Sequence, residues 1–316
     1  MTDLTARRLQ RAIIIPTSQR HWPPALSRPV ATFSIVAWDA ALPAWGIAVA
    51  SKFPAVGAVV PWAIAGVGAV ATQSYANTAY GPEGLHMMAD GLSAGETLDR
   101  LLAEDPGRDQ RQAGLVDAAG GGSTFTGSSC LPWAGGMAAD GLAIQGNILA
   151  GPQVVEAMAQ SFTETTGDLP DRLIAALLAG DRAGGDRRGR QSAALLVVRE
   201  GGGYAGGNDR WIDYRVDDHD DPVPRLAQLL ELHRLYFGKS PPEDRLPLEG
   251  DVLHRLVHIL HSLGYVDNAD ESALTPDVQK ALRHFIGNEN FEDRCDLEAG
   301  WIDRPAYEFL VQRFGD

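Results

Sequence analysis

From residue 31 onward the chain alternates short apolar runs with Pro/Gly breaks. Residues 31–39, 45–53, 56–62 and 66–74 are each dominated by Ala, Val, Ile, Phe and Trp. Runs of this length between turn residues predict an antiparallel meander of four strands, buried on at least one face. The period then changes. Residues 80–90 and 93–104 read as helices; Ser93 with Glu96 three positions on is a capping box, and Leu98, Leu101 and Leu102 share one face. Residues 112–117 and 122–125 predict a hairpin across a glycine-rich turn, and 142–148 a further strand. Helices follow at 152–162 and 169–178, strands at 192–199 and 211–216, and a helix at 222–237. This order predicts an α+β fold with helices outside two stacked antiparallel sheets.

Residues 239–247 hold Pro241, Pro242 and Pro247 and read as a linker. Residues 248–316 form a separate helical pattern. A helix over 251–263 ends at Gly264, Thr275 and Pro276 cap and open a second, and a third runs over 305–314. His254, His258 and His261 recur on the first of these helices. No carboxylate motif accompanies them and the apolar stripe accounts for their spacing, so no metal is assigned.

Composition narrows the function. The 316 residues are 45% hydrophobic and 22% charged, enough for one large domain and one small one. A net charge of −14 excludes nucleic acid as a natural partner. No apolar run is long enough to span a membrane. Cys130 and Cys295 are far apart and lack metal-type spacing, so the expected compartment is the cytoplasm. Residues 1–31 carry five arginines against Asp3. They read as a disordered N-terminal extension, as a pro-segment removed before Thr32, or as the product of a misassigned start.

The polar residues that punctuate the apolar runs suggest a chemistry. Thr32 opens the first strand beside small Ala31; Ser51, Lys52, Gln73 and Ser74 stand at strand ends. A hydroxyl opening a strand, with a lysine on the neighbouring strand, is the layout of an N-terminal-nucleophile hydrolase. In such an enzyme a backbone cut frees an α-amine that serves as base for its own side chain. The phrases Thr32-Phe33-Ser34-Ile35-Val36-Ala37, the run from Ala50-Ser51-Lys52-Phe53 to Trp62, Gly146-Asn147 and the run from Gly184-Gly185-Asp186-Arg187 to Leu195 resemble the bacterial family called domain of unknown function 1028. The likeness extends from Thr32 to about His233. It implies an αββα four-layer sandwich of the N-terminal-nucleophile type over 32–238 and an amide-bond hydrolase activity. Residues 248–316 loosely resemble peptidoglycan-binding-like three-helix domains, without the Asp-Gly turn such domains often carry. A structural or dimerising cap is the preferred reading of this part.

On this reading Thr32 is the nucleophile. Lys52, buried beside it, lowers the amine pKa by like-charge repulsion, and Asn147 is an oxyanion donor. Ser34, Ser51, Gln73 and Ser74 line the pocket, and Asp186, Arg187 and Gln191 belong to an arginine-rich strand mouth that clamps a carboxylate. The expected activity is cleavage of a linear C–N amide in a small anionic substrate, without metal or cofactor, by a chain able to form homo-oligomers. The alternative is a non-catalytic binding or assembly protein on the same fold, attached to the cell wall through its C-terminal part.

Overall fold

The computed structural model describes residues 32–315; the expected extension or pro-segment at 1–31, with the Ala31–Thr32 junction, lies outside them. Strand β1 (Thr32–Asp39) sends Phe33, Ile35 and Ala37 to one face and Thr32, Ser34 and Val36 to the other, as the two-residue period of a strand requires. It pairs antiparallel with β2 (Ala44–Ser51) around a turn in which Asp39 Oδ1 accepts from Ala41 N at 2.8 Å.

The four expected strands do not form one meander. The first two enter a sheet ordered β10 (Arg210–Val216), β9 (Ser192–Arg199), β2, β1, β8 (Leu142–Asn147), β7 (Gly135–Ala139). The second two, β3 (Pro61–Ile64) and β4 (Gly68–Ser74), join β5 (Arg111–Asp117) and β6 (Gly122–Thr126) in another. The chain leaves the first sheet after Ser51 because Pro54 breaks the ladder, Ala55 adopts φ 52°, and Val56–Ala58 closes a single 3-10 turn. Gly57 fits there because a Cβ would lie 2.6 Å from that of Ala194.

The inner faces of the two sheets meet through Val36, Ile47, Val49, Ala69, Ala71, Val116 and Leu196. Helices α1 (Tyr80–Ala89) and α2 (Ala94–Glu104) cover the outer face of the four-stranded sheet, placing Leu85, Leu98 and Leu101 on Val70 and Leu115. Helices α3 (Gln153–Glu164), α4 (Leu169–Arg182) and α5 (Pro222–Phe237) cover the outer face of the six-stranded sheet with Met158, Leu173, Leu177 and Leu226. Each such side chain contributes roughly 1.5–3 kcal/mol by leaving water. Local signals set the helix starts. Ser93 Oγ accepts from Glu96 N at 3.3 Å while Glu96 Oε2 accepts from Ser93 N at 3.0 Å, the reciprocal capping box expected before α2. The fold is a mixed α+β arrangement.

A separate cluster lies in the C-terminal part, where Leu253, Leu256, Leu282, Phe285 and Leu310 join α6 (Gly250–Ser262), α7 (Pro276–Asn288) and α8 (Arg304–Phe314). A small sheet ordered β11 (Arg245–Pro247), β13 (Trp301–Asp303), β12 (Cys295–Asp296) accompanies the three helices, so the proline-rich stretch read as a linker ends as a strand. Buried Arg294 pairs with Asp303 at 3.1 Å and donates to Gly238 O and Ser240 Oγ, tying that stretch down. Tyr236 at the end of α5 stacks on Phe291 with centroids 4.9 Å apart. Among the described residues no helix is long and apolar enough to cross a membrane.

Candidate active site

The ends of three adjoining strands place Thr32, Ser51 and Asn147 side by side: Thr32 is in register with Ser51 on β2 and with Asn147 on β8. All three are buried, and Thr32 Oγ1 donates to Ser51 Oγ at 3.3 Å. Gln73 crosses from the opposite sheet, and its Nε2 donates to Thr32 O at 3.3 Å. Ser34, on the same face of β1 as Thr32, donates to Gln73 Oε1 at 2.6 Å and accepts from Gln145 Nε2 at 2.7 Å.

Two members of this group escaped the sequence reading. Gln112 Oε1 accepts from Gln73 Nε2 at 2.8 Å and from Asn147 Nδ2 at 2.9 Å, while its own Nε2 donates to Thr126 Oγ1 at 2.8 Å and Gly146 O at 2.7 Å. Gln145 lies over Gly114, where any Cβ would collide with its amide. Gln112 is the lone amide of β5, and Gln145 shares β8 with Asn147 two residues on; all three stand at the parity that faces the other sheet, and that parity is the available signal. The network is buried and densely hydrogen-bonded, the condition under which buried amides are tolerated.

The backbone turns sharply here. Ser74 follows Gln73 with φ 65° and Ile148 follows Asn147 with φ 53°. A β-branched residue in the left-handed region is strained, and such strain concentrates at functional sites. Ile148 is held by Leu131 O, which accepts its N–H at 3.0 Å, and by Arg187 N, which donates to its carbonyl at 3.0 Å.

A cavity of about 650 Å³ opens at this end of the six-stranded sheet, lined by Phe33, Ala50 and Ser51 on the strand side and by the end of α4, the loop before β9 and the start of α5 on the other. Its charges are sorted by pairing. Asp186 accepts from Lys52 N at 2.9 Å and from Arg188 at 2.9 Å; Arg190 pairs with Asp181 and Asp221 at 2.8 Å each. The Asp181 hydrogen bond raises the Arg190 pKa further, against a smaller opposing effect of burial. Among the described residues Arg182, Arg187 and Asp220 line the cavity with no side-chain partner, which leaves two guanidiniums against one carboxylate.

The other expected site residues have different places. Lys52 is exposed and its Nζ donates to Arg190 O at 3.1 Å, so it is not buried beside Thr32. Gln191 braces loops: its N donates to Ser51 O at 3.1 Å and its Nε2 to Asp218 Oδ1 at 3.1 Å. Ser74 faces away from the inter-sheet network and hydrogen-bonds Cys130, whose thiol burial pushes up in pKa. The described residues around Thr32 offer no trio of His, Cys, Asp and Glu suited to a metal.

A stack of antiparallel sheets with a buried polar cluster at its strand ends, Ser51 of which reaches the cavity, defines a mixed α+β protein. The chain belongs to the Family of unknown function (DUF1028), which it matches over residues 32–226. It is similar to protein SPO2555 from Silicibacter pomeroyi, a crystal structure of the same family, with 30% identity and a TM-score of 0.59 over 65% of this chain and 89% of that one. No curated protein matches. Residues 236–310 match the "Putative peptidoglycan binding domain". That match corrects the expected cytoplasmic placement, because peptidoglycan lies outside the cytoplasmic membrane. The cysteine argument could not decide the matter: Cys130 and Cys295 are free thiols, and two free thiols suit either compartment.

Proposed function

We propose that this protein is an amidohydrolase of the N-terminal-nucleophile type on an αββα sandwich. In it Thr32, freed by cleavage of the Ala31–Thr32 bond, hydrolyses a linear C–N amide in a small anionic substrate. The observation that carries the reading is the convergence of Thr32, Ser51 and Asn147 on three adjoining strand ends, of which Ser51 reaches a cavity that also bears Arg182 and Arg187. The neutral α-amine takes the Oγ1 proton as Oγ1 attacks the amide carbon. The resulting oxyanion is held by backbone N–H groups and by the Asn147 amide. The ammonium passes its proton to the leaving nitrogen, the C–N bond breaks, and an ester on Thr32 remains. Water, deprotonated by the same amine, then releases the acid. Arg187 holds a substrate carboxylate. Lys52 has no place in this scheme.

The similarity of residues 236–310 to a peptidoglycan binding domain supports action on the wall side of the membrane. Carboxylate-bearing amides of cell-wall peptides are therefore the first substrates to test. Thr32→Ala should lower turnover by roughly 10⁴-fold or more, as removal of a nucleophile does, while Thr32→Ser keeps part of it. Full activity in Thr32→Ala would sink the proposal. A second reading, a non-catalytic binding protein on this fold, is favoured by the complete burial of Thr32; it expects no turnover of any amide and saturable binding instead.

A further inference from the structure

We propose that His254, His258 and Asp270 bind a divalent transition-metal ion of the zinc class, independently of the chemistry at Thr32. The three histidines of α6 do not sit on its apolar stripe, as their spacing suggested. Leu253, Leu256, Val257 and Leu260 turn inward, while His254, His258 and His261 are exposed. His254 and His258 stand one turn apart on one face. Their Nε2 atoms are 3.3 Å apart, with the rings crossing at 74°. Two nitrogens bound to zinc at about 2.0–2.1 Å with tetrahedral geometry are separated by about 3.3 Å, so the spacing of the two imidazole nitrogens matches an edge of a coordination tetrahedron.

The third donor comes from a different segment. An Asp270 carboxylate oxygen and the two imidazole nitrogens all lie within 4.8 Å of one another. Asp270 belongs to the irregular stretch between α6 and α7, where its N–H donates to Asn268 Oδ1 at 3.0 Å. A mutual hydrogen bond between two exposed imidazoles gains little, because water offers each the same bond. Two imidazoles and one carboxylate suit zinc, nickel or copper rather than calcium or magnesium. The bound ion would cross-link α6 to the stretch before α7, with a fourth position open to water.

The test uses the full chain without an affinity tag. Zinc is titrated calorimetrically, and melting temperature is read in zinc and in EDTA. The expected result is one ion per chain with micromolar affinity and a higher melting temperature in zinc. His254→Ala or His258→Ala should weaken binding roughly tenfold or more and remove the thermal shift, while melting like wild type in EDTA. Asp270→Asn should weaken it less, and His261→Ala, which removes an equally exposed imidazole, should change nothing. Paramagnetic cobalt should broaden the ring signals of His254 and His258 first in the wild-type chain, a readout that needs no variant. Absence of saturable binding, equal loss in His261→Ala, or broadening that favours other histidines overturns the site.

Discussion

The layer between the two sheets has two unlike ends. At one end Val36, Ile47, Ala69 and Val116 fill the space with hydrocarbon. At the other, β1, β4, β5 and β8 present Ser34, Gln73, Gln112, Gln145 and Asn147 on the faces turned toward the opposite sheet, all fully buried. Stability alone gives no reason for the second arrangement. Burying an amide costs free energy unless every donor and acceptor is met, and apolar residues of similar volume would pack there at least as well. A chain that keeps four buried amides and the Ser34 hydroxyl beside a threonine at a strand end is maintaining a geometry. The apolar end holds the sheets together, and the polar end fixes where Thr32, Ser51 and Asn147 stand.

The sharpest way to break that contrast is to exchange the character of the ends. Gln112→Leu keeps approximate volume but strips partners from Gln73, Asn147, Thr126 and Gly146 at once. Each orphaned group costs about 1–3 kcal/mol, so a loss of several kcal/mol in chemical denaturation is expected, together with loss of turnover in whatever folds. Ile47→Ala at the apolar end should cost about 2–5 kcal/mol yet leave turnover per folded molecule close to wild type. Equal loss of activity in the two variants would show that the ends do not differ in role.

A smaller effect is expected at the cavity. Arg187→Ala should raise KM for a carboxylate-bearing amide roughly tenfold, the weight of one charge-assisted contact, and change a matched neutral amide much less. Because no side chain among the described residues pairs with Arg187, its removal should leave the melting temperature unchanged. Equal effects on both substrates with a drop in stability would make it a loop brace.

The smallest effect lies outside the layer. Burial acts to raise the pKa of Asp105, but hydrogen bonds from Arg111, the Gly107 N–H, Asn77 and Tyr80 outweigh it and hold it at about 2. A folded pKa below the unfolded value of about 3.9 means that the contribution is fully present above pH 4 and is lost as pH falls toward 2. Asp105→Asn should flatten the stability curve across that window; an unchanged slope would contradict the assignment.

Much of this is legible in the sequence. The capping box at Ser93, the parity of β1 and the strand runs are local properties, and local properties survive into the fold. What was not legible depends on partners distant in sequence. The split of the first four strands between two sheets turns on Ala55 adopting a left-handed conformation, which its side chain does not announce. Strand β7 is short and built of Gly, Met and Ala, so no alternation marked it. Lys52 read as buried because its neighbours are, whereas its stem leads out to Arg190 O. The arginine cluster reads as a clamp with Arg187 as ligand and Asp186 as its orienter, yet Asp186 engages Arg188 while Asp181 and Asp221 engage Arg190.

The central claim is that the polar end of the layer exists to serve Thr32 as a terminal nucleophile. The most direct measurement is the intact mass of the purified full-length chain beside Thr32→Ala. The account predicts that the wild-type chain begins at Thr32 and that the variant stays uncut. A wild-type chain that remains joined at Ala31–Thr32 while turning over an amide at full rate would contradict it.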